Sequence, residues 1–468
     1  MKLNNSLFLD KAKPALKELL RLLGEKYAYA GILAQDSLGM SIGVSGQGTS
    51  VSEDALSTKR GFVVRVHNGK SLVEYAFNEI SEERISGIMD AVAALSDAAN
   101  GEDAIPSDEP LIRSYSSEYE IDPEQAGVRA IVDRLTGIRE KCLACDGRLV
   151  DAMLRCVWQK NRRMFLSKNR ELVQNILWTN ASLVTLASDG NDMKDYYAPY
   201  SGLCGIELLD RIDERGVRAA ADTCVQLLDA GQMPPGEYDC ICDPDTTGMI
   251  VHEAFGHGVE MDMFVKDRAL AKQYMGKKVA SEKVTMHDGA SAASECATYL
   301  FDDEGCEAQD TIIIKNGILV NGYADSVSAA RLDVKPTGNG RRESYERKAY
   351  TRMTNTYFEG GQDRVEDMIA SISYGFLLEN PSSGMEDPKN WGIQCMVNIA
   401  REIRDGKLTG KIYSPIVLTG YVPDLLNSIS MMSEQVVLGG CGYCGKGYKE
   451  FIKVSDGGPY IKARIRLG

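Results

Sequence analysis

A chain of 468 residues is long enough for roughly two to four domains of ordinary size. Its 44% hydrophobic and 26% charged residues are typical of a soluble globular protein, and a net charge of −14 disfavours general binding to nucleic acid or to anionic membranes. The N-terminal segment lacks the apolar stretch of an export signal, and no apolar run approaches the about 20 residues of a membrane span, so a cytoplasmic protein is expected.

The first half of the chain predicts a mixture of helices and antiparallel sheet. Apolar and charged residues alternate at helical spacing from about 9 to 24, and an Asn-Gly turn at 68–69 separates two β-rich runs. A polar, proline-punctuated segment at about 101–125 is predicted to be a connector, and the pattern at 148–188 fits an antiparallel meander. The prolines of QMPPGE mark the predicted end of an N-terminal α+β region, 1–232.

The second half, 233–468, predicts a strand-rich C-terminal domain. A strand at 238–243 leads into a helix that we expect Asp245 or Thr246 to cap, and this helix runs into the segment VHEAFGHGVEMD. A second Asn-Gly hairpin is predicted at 316–317, and short strands return near the C-terminus. Because no repeat period is visible, solenoids and propellers are disfavoured, and the two-part chain is assigned to the α+β class.

Two of the chain's four histidines, His252 and His257, flank Glu253 in HEAFGH. The zinc-peptidase pattern H-E-x-x-H has one residue fewer, and its four-residue step brings both rings to one face of a helix. Residues five apart on a regular helix lie about 140° out of line. The pair can therefore share a metal only if the helix widens locally to i→i+5 bonding, which Gly256 and Gly258 would favour.

A catalytic zinc ion needs three protein ligands, so two histidines are too few. Glu260 and Asp262 lie close in sequence and could orient the histidine rings as hydrogen-bond acceptors. A thiolate is the other option, and Cys444 in GYCGKG is a candidate because its glycines allow close approach. The alternative is a chance pattern on a helix surface, which the spacing alone leaves open.

Several motifs in the same order resemble those of the TldD/PmbA family of metallopeptidases. HEAFGHGVEMD resembles the family signature HEAxGHxxExD at every specified position. FDDEG (301–305), GNGRRESY (338–345) and RMTNTY (352–357) are similar to family motifs downstream, and GYCGKG lies where the family has a metal-binding cysteine. The motif-level similarity covers about 235–450 and points to a TldD-like member.

The resemblance implies a zinc-dependent peptidase with one zinc ion per chain. His252, His257 and Cys444 would be the metal ligands, and Glu253 would be the general base that takes a proton from the metal-activated water. PmbA-type relatives lack the metal motif, so its presence here indicates the catalytic subunit. The resemblance further implies a homodimer, or a heterodimer with a PmbA-like subunit, whose enclosed chamber admits short or unfolded peptides that bind extended against strand edges.

Two features depart from the family pattern. Its glycine-rich GGG element corresponds here to NPSSGMEDPKNWG (380–392), which has one central glycine and added charge, so peptide preference is expected to differ. Cys441, three residues before Cys444, could compete for the metal or form a disulfide with Cys444.

Four polar residues between 341 and 355 carry open hypotheses. Arg341, Arg342 and Arg352 could bind a peptide's carboxylate or carbonyl oxygens, or they could tie a long loop to acidic neighbours. Asn355 could bond an extended peptide or hold a turn, and the turn is favoured.

The remaining histidines and the other C-x-x-C pair are expected to be structural. His67, beside a hairpin turn, is expected to face solvent, and His287 is expected to lie in a turn. Cys142 and Cys145 follow a predicted helix, and a structural zinc site shared with the distant Cys441 and Cys444 is disfavoured.

Three classes of function therefore compete. A zinc-dependent peptidase acting on unfolded peptides is favoured. The second is a non-catalytic scaffold or partner subunit with a structural metal, which would unfold when the metal is removed. The third is a thiol-based redox protein that uses Cys441 and Cys444.

Overall fold

A computed structural model of the protein describes residues 1–53, 58–447 and 449–468. The elements of its first half, in chain order, are α1 (Leu7–Lys26), β1 (Tyr29–Ser45), β2 (Gly48–Glu53), β3 (Lys59–His67), β4 (Leu72–Phe77), α2 (Ile85–Ala98), β5 (Leu111–Ser116), α3 (Pro123–Leu143), β6 (Leu149–Ser167), β7 (Arg170–Ser188), β8 (Met193–Gly202) and α4 (Glu214–Gln226).

The second half contains more strands and shorter helices. In chain order they are β9 (Gly236–Cys242), α5 (Pro244–Val251), α6 (Met261–Val265), β10 (Met286–Asp288), β11 (Thr311–Lys315), β12 (Ile318–Leu319), α7 (Ser326–Leu332), β13 (Gly340–Arg341), β14 (Tyr350–Thr351), β15 (Asn355–Phe358), α8 (Val365–Ala370), β16 (Tyr374–Asp387), β17 (Gly392–Arg404), β18 (Lys407–Tyr413), β19 (Ile416–Tyr421), α9 (Val422–Asn427), β20 (Met431–Met432), β21 (Val437–Gly439), β22 (Tyr443–Lys446), β23 (Lys449–Lys453), β24 (Ser455–Gly458) and β25 (Ile461–Leu467).

An eight-stranded sheet dominates the first half. Its order is β4-β3-β1-β6-β7-β5, with β2 paired to β1 and β8 paired to β7. The antiparallel strands predicted at 148–188 are confirmed as β6 and β7, and β8 continues the meander beyond that range. The first predicted helix is confirmed as α1, which Ser6 caps and whose leucines at 9, 16, 19 and 23 are buried on one face.

The connector prediction at about 101–125 is wrong in part, because this segment contains strand β5 and the start of α3. The strand pairs in parallel with β7 on one side only and leaves most of its side chains solvated, as Ile112 shows. An edge strand that is mostly solvated needs no alternation of apolar residues. The polar sequence of β5 therefore did not predict a strand.

Two sheets of the second half enclose helix α5. One has the order β16-β9-β25-β19-β17-β18 and the other β12-β11-β10-β15-β24-β21. Helix α5 contacts β16 of the first sheet and β24 of the second. Gly248 allows the close approach to β24, because an added Cβ there would lie 2.7 Å from the backbone nitrogen of Gly457. The C-terminal end of α5 is thereby fixed between the two sheets.

The α+β prediction is confirmed for this mixture of helices and mainly antiparallel strands. Among the described residues, every sheet takes its strands from one side of residue 232, and the division into 1–232 and 233–468 stays a prediction. The two sides are joined by partly buried ion pairs: Arg65 contacts Glu304 of FDDEG at 2.6 Å, and Arg342 contacts Glu74 at 2.9 Å. No helix in the described ranges is both long and apolar enough to cross a membrane.

Candidate metal centre

The helix that carries His252 changes its winding at that residue. Strand β9 ends and Asp243 caps α5, its carboxylate accepting from Thr246 N at 2.7 Å, so the predicted cap at Asp245 or Thr246 is wrong by two or three positions. The helix then widens into a π turn over His252–Gly256, closed by the bond from His257 N to the His252 carbonyl. This widening brings the two imidazole ring centres to 5.2 Å from each other.

The π turn is held from both sides. Tyr323, which is fully buried, donates a hydrogen bond from its hydroxyl to the Gly256 carbonyl. On the other side, Phe255 packs against Trp391, with ring centres 5.6 Å apart. The Gly256 carbonyl thus accepts a hydrogen bond from a side chain outside the turn.

Cys444 completes a group of three metal-binding side chains. It lies in β22, paired with Ile452 of β23, and its Sγ is 3.2 Å from His257 Nε2. The ligand atoms of His252, His257 and Cys444 all lie within 4.8 Å of one another. Within residues 1–53, 58–447 and 449–468 this is the one cluster of three or more such residues at that spacing.

The charges in this cluster favour a thiolate. Burial alone would raise the pKa of the Cys444 thiol, but the charge of His257 and hydrogen bonds with both imidazoles lower it to about 5. Burial lowers the pKa of His257, yet Cys444 and Glu260 outweigh it and raise that pKa to about 10. The thiolate and imidazolium therefore stabilise each other when only protons are bound.

Two imidazole nitrogens and one thiolate suit zinc, which prefers nitrogen and sulfur donors and in catalytic sites takes three protein ligands. A cation at this position would replace the protons that His252 and His257 share with Cys444. The donor set therefore fits a zinc ion, whereas hard cations such as Mg²⁺ and Ca²⁺ prefer oxygen ligands.

Carboxylates face the other nitrogen of each ring. Glu260 Oε2 lies 3.8 Å from His257 Nδ1, and Asp456 Oδ2 lies 3.2 Å from His252 Nδ1. The contact between Asp456 and His252 is not aligned as a hydrogen bond. His252 Nδ1 therefore has no hydrogen-bond partner in the described part of the chain. Carboxylates in this position orient ligand histidines and leave Nε2 for the metal.

Glu260 is itself fixed by two cations. Lys446 Nζ contacts Glu260 at 2.9 Å and Asp262 at 2.8 Å, and Arg352 Nε lies 3.3 Å from Glu260. Burial would raise the pKa of Glu260, but Lys446, His257 and Arg352 hold it well below its usual range. Glu260 is thus ionised at neutral pH beside His257, whereas Asp262 contacts lysines instead of a histidine.

Glu253 lies next to the ligand cluster on the wall of a cleft of about 840 Å³. Its side chain is 7% exposed, and burial raises the pKa of its carboxyl against the lowering effect of His252 and His257. Strand β16 presses on it: an added Cβ at Gly384 would lie 2.4 Å from Glu253 Cγ. The segment that departs from the family pattern therefore forms one wall of the cleft.

None of the four residues considered for substrate binding lines this cleft. Arg341 donates to the carbonyls of Met353 and Lys453, and Arg352 donates to that of Cys444. The remaining two are similarly bonded: Arg342 to Glu74 and to the Arg347 carbonyl, and Asn355 to the carbonyls of Gly289 and Ala293. These contacts support the structural alternative for all four.

Asp456 and Gly384 were not predicted from the sequence as residues of the site. Both are more than 120 residues from HEAFGH and lie in segments with no metal-ligand spacing. Asp456 reaches His252 because β24 packs against α5. For Gly384, the one indication in the sequence is that it is the central glycine of NPSSGMEDPKNWG.

The other cysteines lie outside the cluster. Cys441 donates from Sγ to the Tyr200 carbonyl at 3.3 Å, and burial raises the pKa of its thiol. Cys142 is buried near the end of α3, with Cys145 just beyond that helix. These positions do not support a structural zinc site shared by the Cys142/Cys145 pair and the Cys441/Cys444 pair.

Both remaining histidines are placed differently from expectation. His67 is 2% exposed, and its Nε2 lies 2.8 Å from the Asp103 carbonyl, so the solvent-facing prediction is wrong. His287 lies in β10 and not in a turn, with Nδ1 2.6 Å from Asp310 and Nε2 2.7 Å from Glu359. A polar residue beside a turn is buried when a later segment covers it.

His287 should keep its proton to a higher pH than an ordinary histidine. Burial would lower its pKa, but hydrogen bonds to Asp310 and Glu359 raise it. A raised folded pKa means that this stabilisation is complete below the unfolded pKa and is lost as pH rises through the folded one. With four histidines, selectively labelled protein should give a resolvable ring signal for His287, and Asp310→Asn should lower its titration midpoint. An unchanged midpoint in that variant would contradict this assignment.

Known proteins are similar to this chain in sequence and in fold. Residues 235–466 match the family model described as PmbA/TldA metallopeptidase C-terminal domain. A metalloprotease of Methanothermobacter thermautotrophicus is 27% identical over 457 residues, which are 96% of this chain and 97% of that protein. A zinc metalloprotease TldD homolog of Saccharolobus solfataricus is 27% identical over 311 residues, 66% of this chain and 69% of that protein. The crystal structure of TldE from Thermococcus kodakarensis superposes with a TM-score of 0.78 at 17% identity. The superposition covers 97% of this chain and 100% of that protein.

Proposed function

Because the chain belongs to the TldD/PmbA family of metallopeptidases, we propose that it is a zinc-dependent peptidase that hydrolyses short or unfolded peptides. One observation carries the proposal. Three ligand atoms, from His252, His257 and Cys444, lie within 4.8 Å of one another beside the carboxylate of Glu253, on the wall of a large cleft.

Each residue has a definite part in this proposal. His252, His257 and Cys444 would hold one zinc ion, with Asp456 and Glu260 orienting the two rings. Zinc, when bound, would acidify the attacking water and polarise the scissile carbonyl. Glu253 would accept the proton of that water, and its raised pKa suits a base that works near neutral pH.

The edge of β16 offers a place for an extended peptide. Residues 382–386 line the cleft, and 383–386 pair with β17 on one side, whereas β9 pairs only with residues 375–378. In the described residues, the cleft-facing edge of 382–386 has no strand partner. An added peptide strand there would pass directly over Glu253.

The assembly is part of the same proposal. A homodimer, or a heterodimer with a PmbA-like subunit, would cover the mouth of the cleft. Such a chamber would admit unfolded chains and exclude folded proteins. Light scattering of the protein alone, and mixed with a PmbA-like subunit, would distinguish the two assemblies by mass.

The activity is tested with zinc-loaded protein, an unstructured peptide and a folded protein of similar sequence content. We expect cleavage of the peptide alone, loss of cleavage after chelation, and recovery when zinc is returned. Circular dichroism before and after chelation separates this from a scaffold. A chain that unfolds on chelation and never cleaves peptide would have a structural metal, and the proposal would fail.

Replacing Gly384 with alanine is expected to lower kcat/KM by about 100-fold, because the new methyl group must displace the Glu253 side chain. The matched control is Gly392→Ala at the other end of the same hairpin, where nothing lies within 4 Å of an added Cβ. Peptide hydrolysis by both variants checks this, with thermal melts to confirm folding. Equal activity in the two variants would mean that β16 does not constrain Glu253.

A further inference from the structure

Glu386 is a carboxylate in the cleft that the proposed mechanism does not use. It lies near the end of β16, is partly buried, and lines both the metal cleft and a neighbouring cleft of about 780 Å³. It belongs to NPSSGMEDPKNWG, the segment that departs from the family pattern.

Strand geometry directs Glu386 toward the reacting region. Alternate residues of a strand share a face, so Glu386 leaves β16 on the same side as Gly384. The Cβ position of Gly384 points at Glu253, 2.4 Å from its Cγ. Glu386 is therefore one side-chain repeat, about 7 Å, along the strand from the general base.

The surroundings of Glu386 are short of positive charge. Glu253, Glu260 and Asp387 act on it as like charges, and His257 is the one cation with a comparable effect. Burial, with these carboxylates, raises the pKa of Glu386 to about 8. In the described part of the chain, the side-chain carboxyl of Glu386 has neither a hydrogen bond nor an ion pair.

Two of the four lysine and arginine side chains that line the cleft are already paired with carboxylates, and the other two, Arg268 and Lys449, form no ion pair with Glu386 in the described residues. Lys266 contacts Asp262 at 2.9 Å, and Lys446 contacts Glu260 and Asp262. A partly buried carboxyl without a partner takes up a proton, as the raised pKa of Glu386 indicates, and a cation that reaches it would displace that proton. The free partner position at Glu386 opens into the space that the substrate would fill.

We propose that Glu386 determines specificity by binding a cationic group of the peptide next to the scissile bond. The inference rests on the proposed function of the site. The cation is an ammonium or guanidinium group, and two parts of a peptide could supply it. An α-ammonium would make the enzyme an aminopeptidase, whereas a lysine or arginine side chain would set a preference within the chain.

The test measures peptide affinity in zinc-loaded Glu253→Gln protein, so that binding is separated from hydrolysis. Three versions of one short peptide are compared by calorimetry: a free N-terminus without basic residues, the same peptide acetylated, and an acetylated peptide with one lysine. Adding Glu386→Gln should weaken the recognised cationic peptide by about tenfold to a hundredfold. The acetylated neutral peptide should change by less than about twofold.

The matched control is Glu366→Gln, which makes the same change in the exposed first turn of α8. Glu366 lines neither cleft, so this variant should leave the affinities unchanged. Loss confined to the free N-terminus identifies the α-ammonium, and loss confined to the lysine peptide identifies a side-chain pocket. Equal weakening of all three peptides, or no measurable binding of any, would overturn the inference.

The two proposals fail separately. Charge-selective binding without hydrolysis by the wild-type enzyme would remove the peptidase and keep the recognition by Glu386. Hydrolysis at equal rates for cationic and neutral peptides would keep the peptidase and remove that recognition.

Discussion

Glu253→Gln is expected to lower kcat/KM for an unstructured peptide by about 100- to 10,000-fold while zinc content stays at the wild-type level. Glutamine has nearly the same shape, but its amide cannot accept the proton of the attacking water. Because Glu253 lies beside the ligands and is not one of the three in the cluster, the metal should remain bound. Peptide hydrolysis and elemental analysis of the same sample measure both quantities.

The control for this variant is Glu366→Gln, which makes the same change in the exposed first turn of α8. It should match the wild type in rate and in zinc. Full activity of Glu253→Gln would remove Glu253 as the base. Loss of both activity and zinc would instead place its carboxylate among the ligands.

Cys444→Ser is expected to lose zinc and, with it, hydrolysis. A serine hydroxyl stays protonated at neutral pH, whereas the Cys444 thiol has a pKa of about 5 and offers a thiolate. Removing one of three protein ligands should weaken zinc binding by more than about 100-fold, because even outer partners of a ligand contribute about 10- to 100-fold. Zinc retained after dialysis, measured per chain, checks this.

Cys441→Ser is the matched control, three residues away on the same segment. Its Sγ contacts the Tyr200 carbonyl and lies outside the ligand cluster, so zinc and activity should be kept. Equal loss in both variants would favour a site or a redox pair that needs both thiols. Zinc retained in Cys444→Ser would remove this residue from the site.

Local sequence predicted the π turn at His252–Gly256 but not the third residue of the cluster. The five-residue spacing of His252 and His257, with glycines beside the second, required a widened turn, and a π turn is found there. The third ligand is 187 residues further along the chain, and local spacing could not select it from twelve cysteines. The family resemblance supplied that choice.

Residues brought in by sheet packing were beyond sequence reasoning. Asp456 reaches His252 from β24, and Gly384 reaches Glu253 from β16, through contacts that depend on the two sheets around α5. The wrong expectation for His67 has the same origin, because residue 103 covers it from 36 positions away. Periodicity reports which face of an element is apolar, and not which distant segment lies on it.

X-ray absorption at the zinc edge of the purified protein tests the central claim, a metal held by two imidazoles and one thiolate. We expect one sulfur at about 2.3 Å and nitrogen or oxygen neighbours at about 2.0–2.1 Å. A zinc shell without sulfur would exclude Cys444 as a ligand. A shell with two or more sulfurs would contradict the assignment of His252, His257 and Cys444.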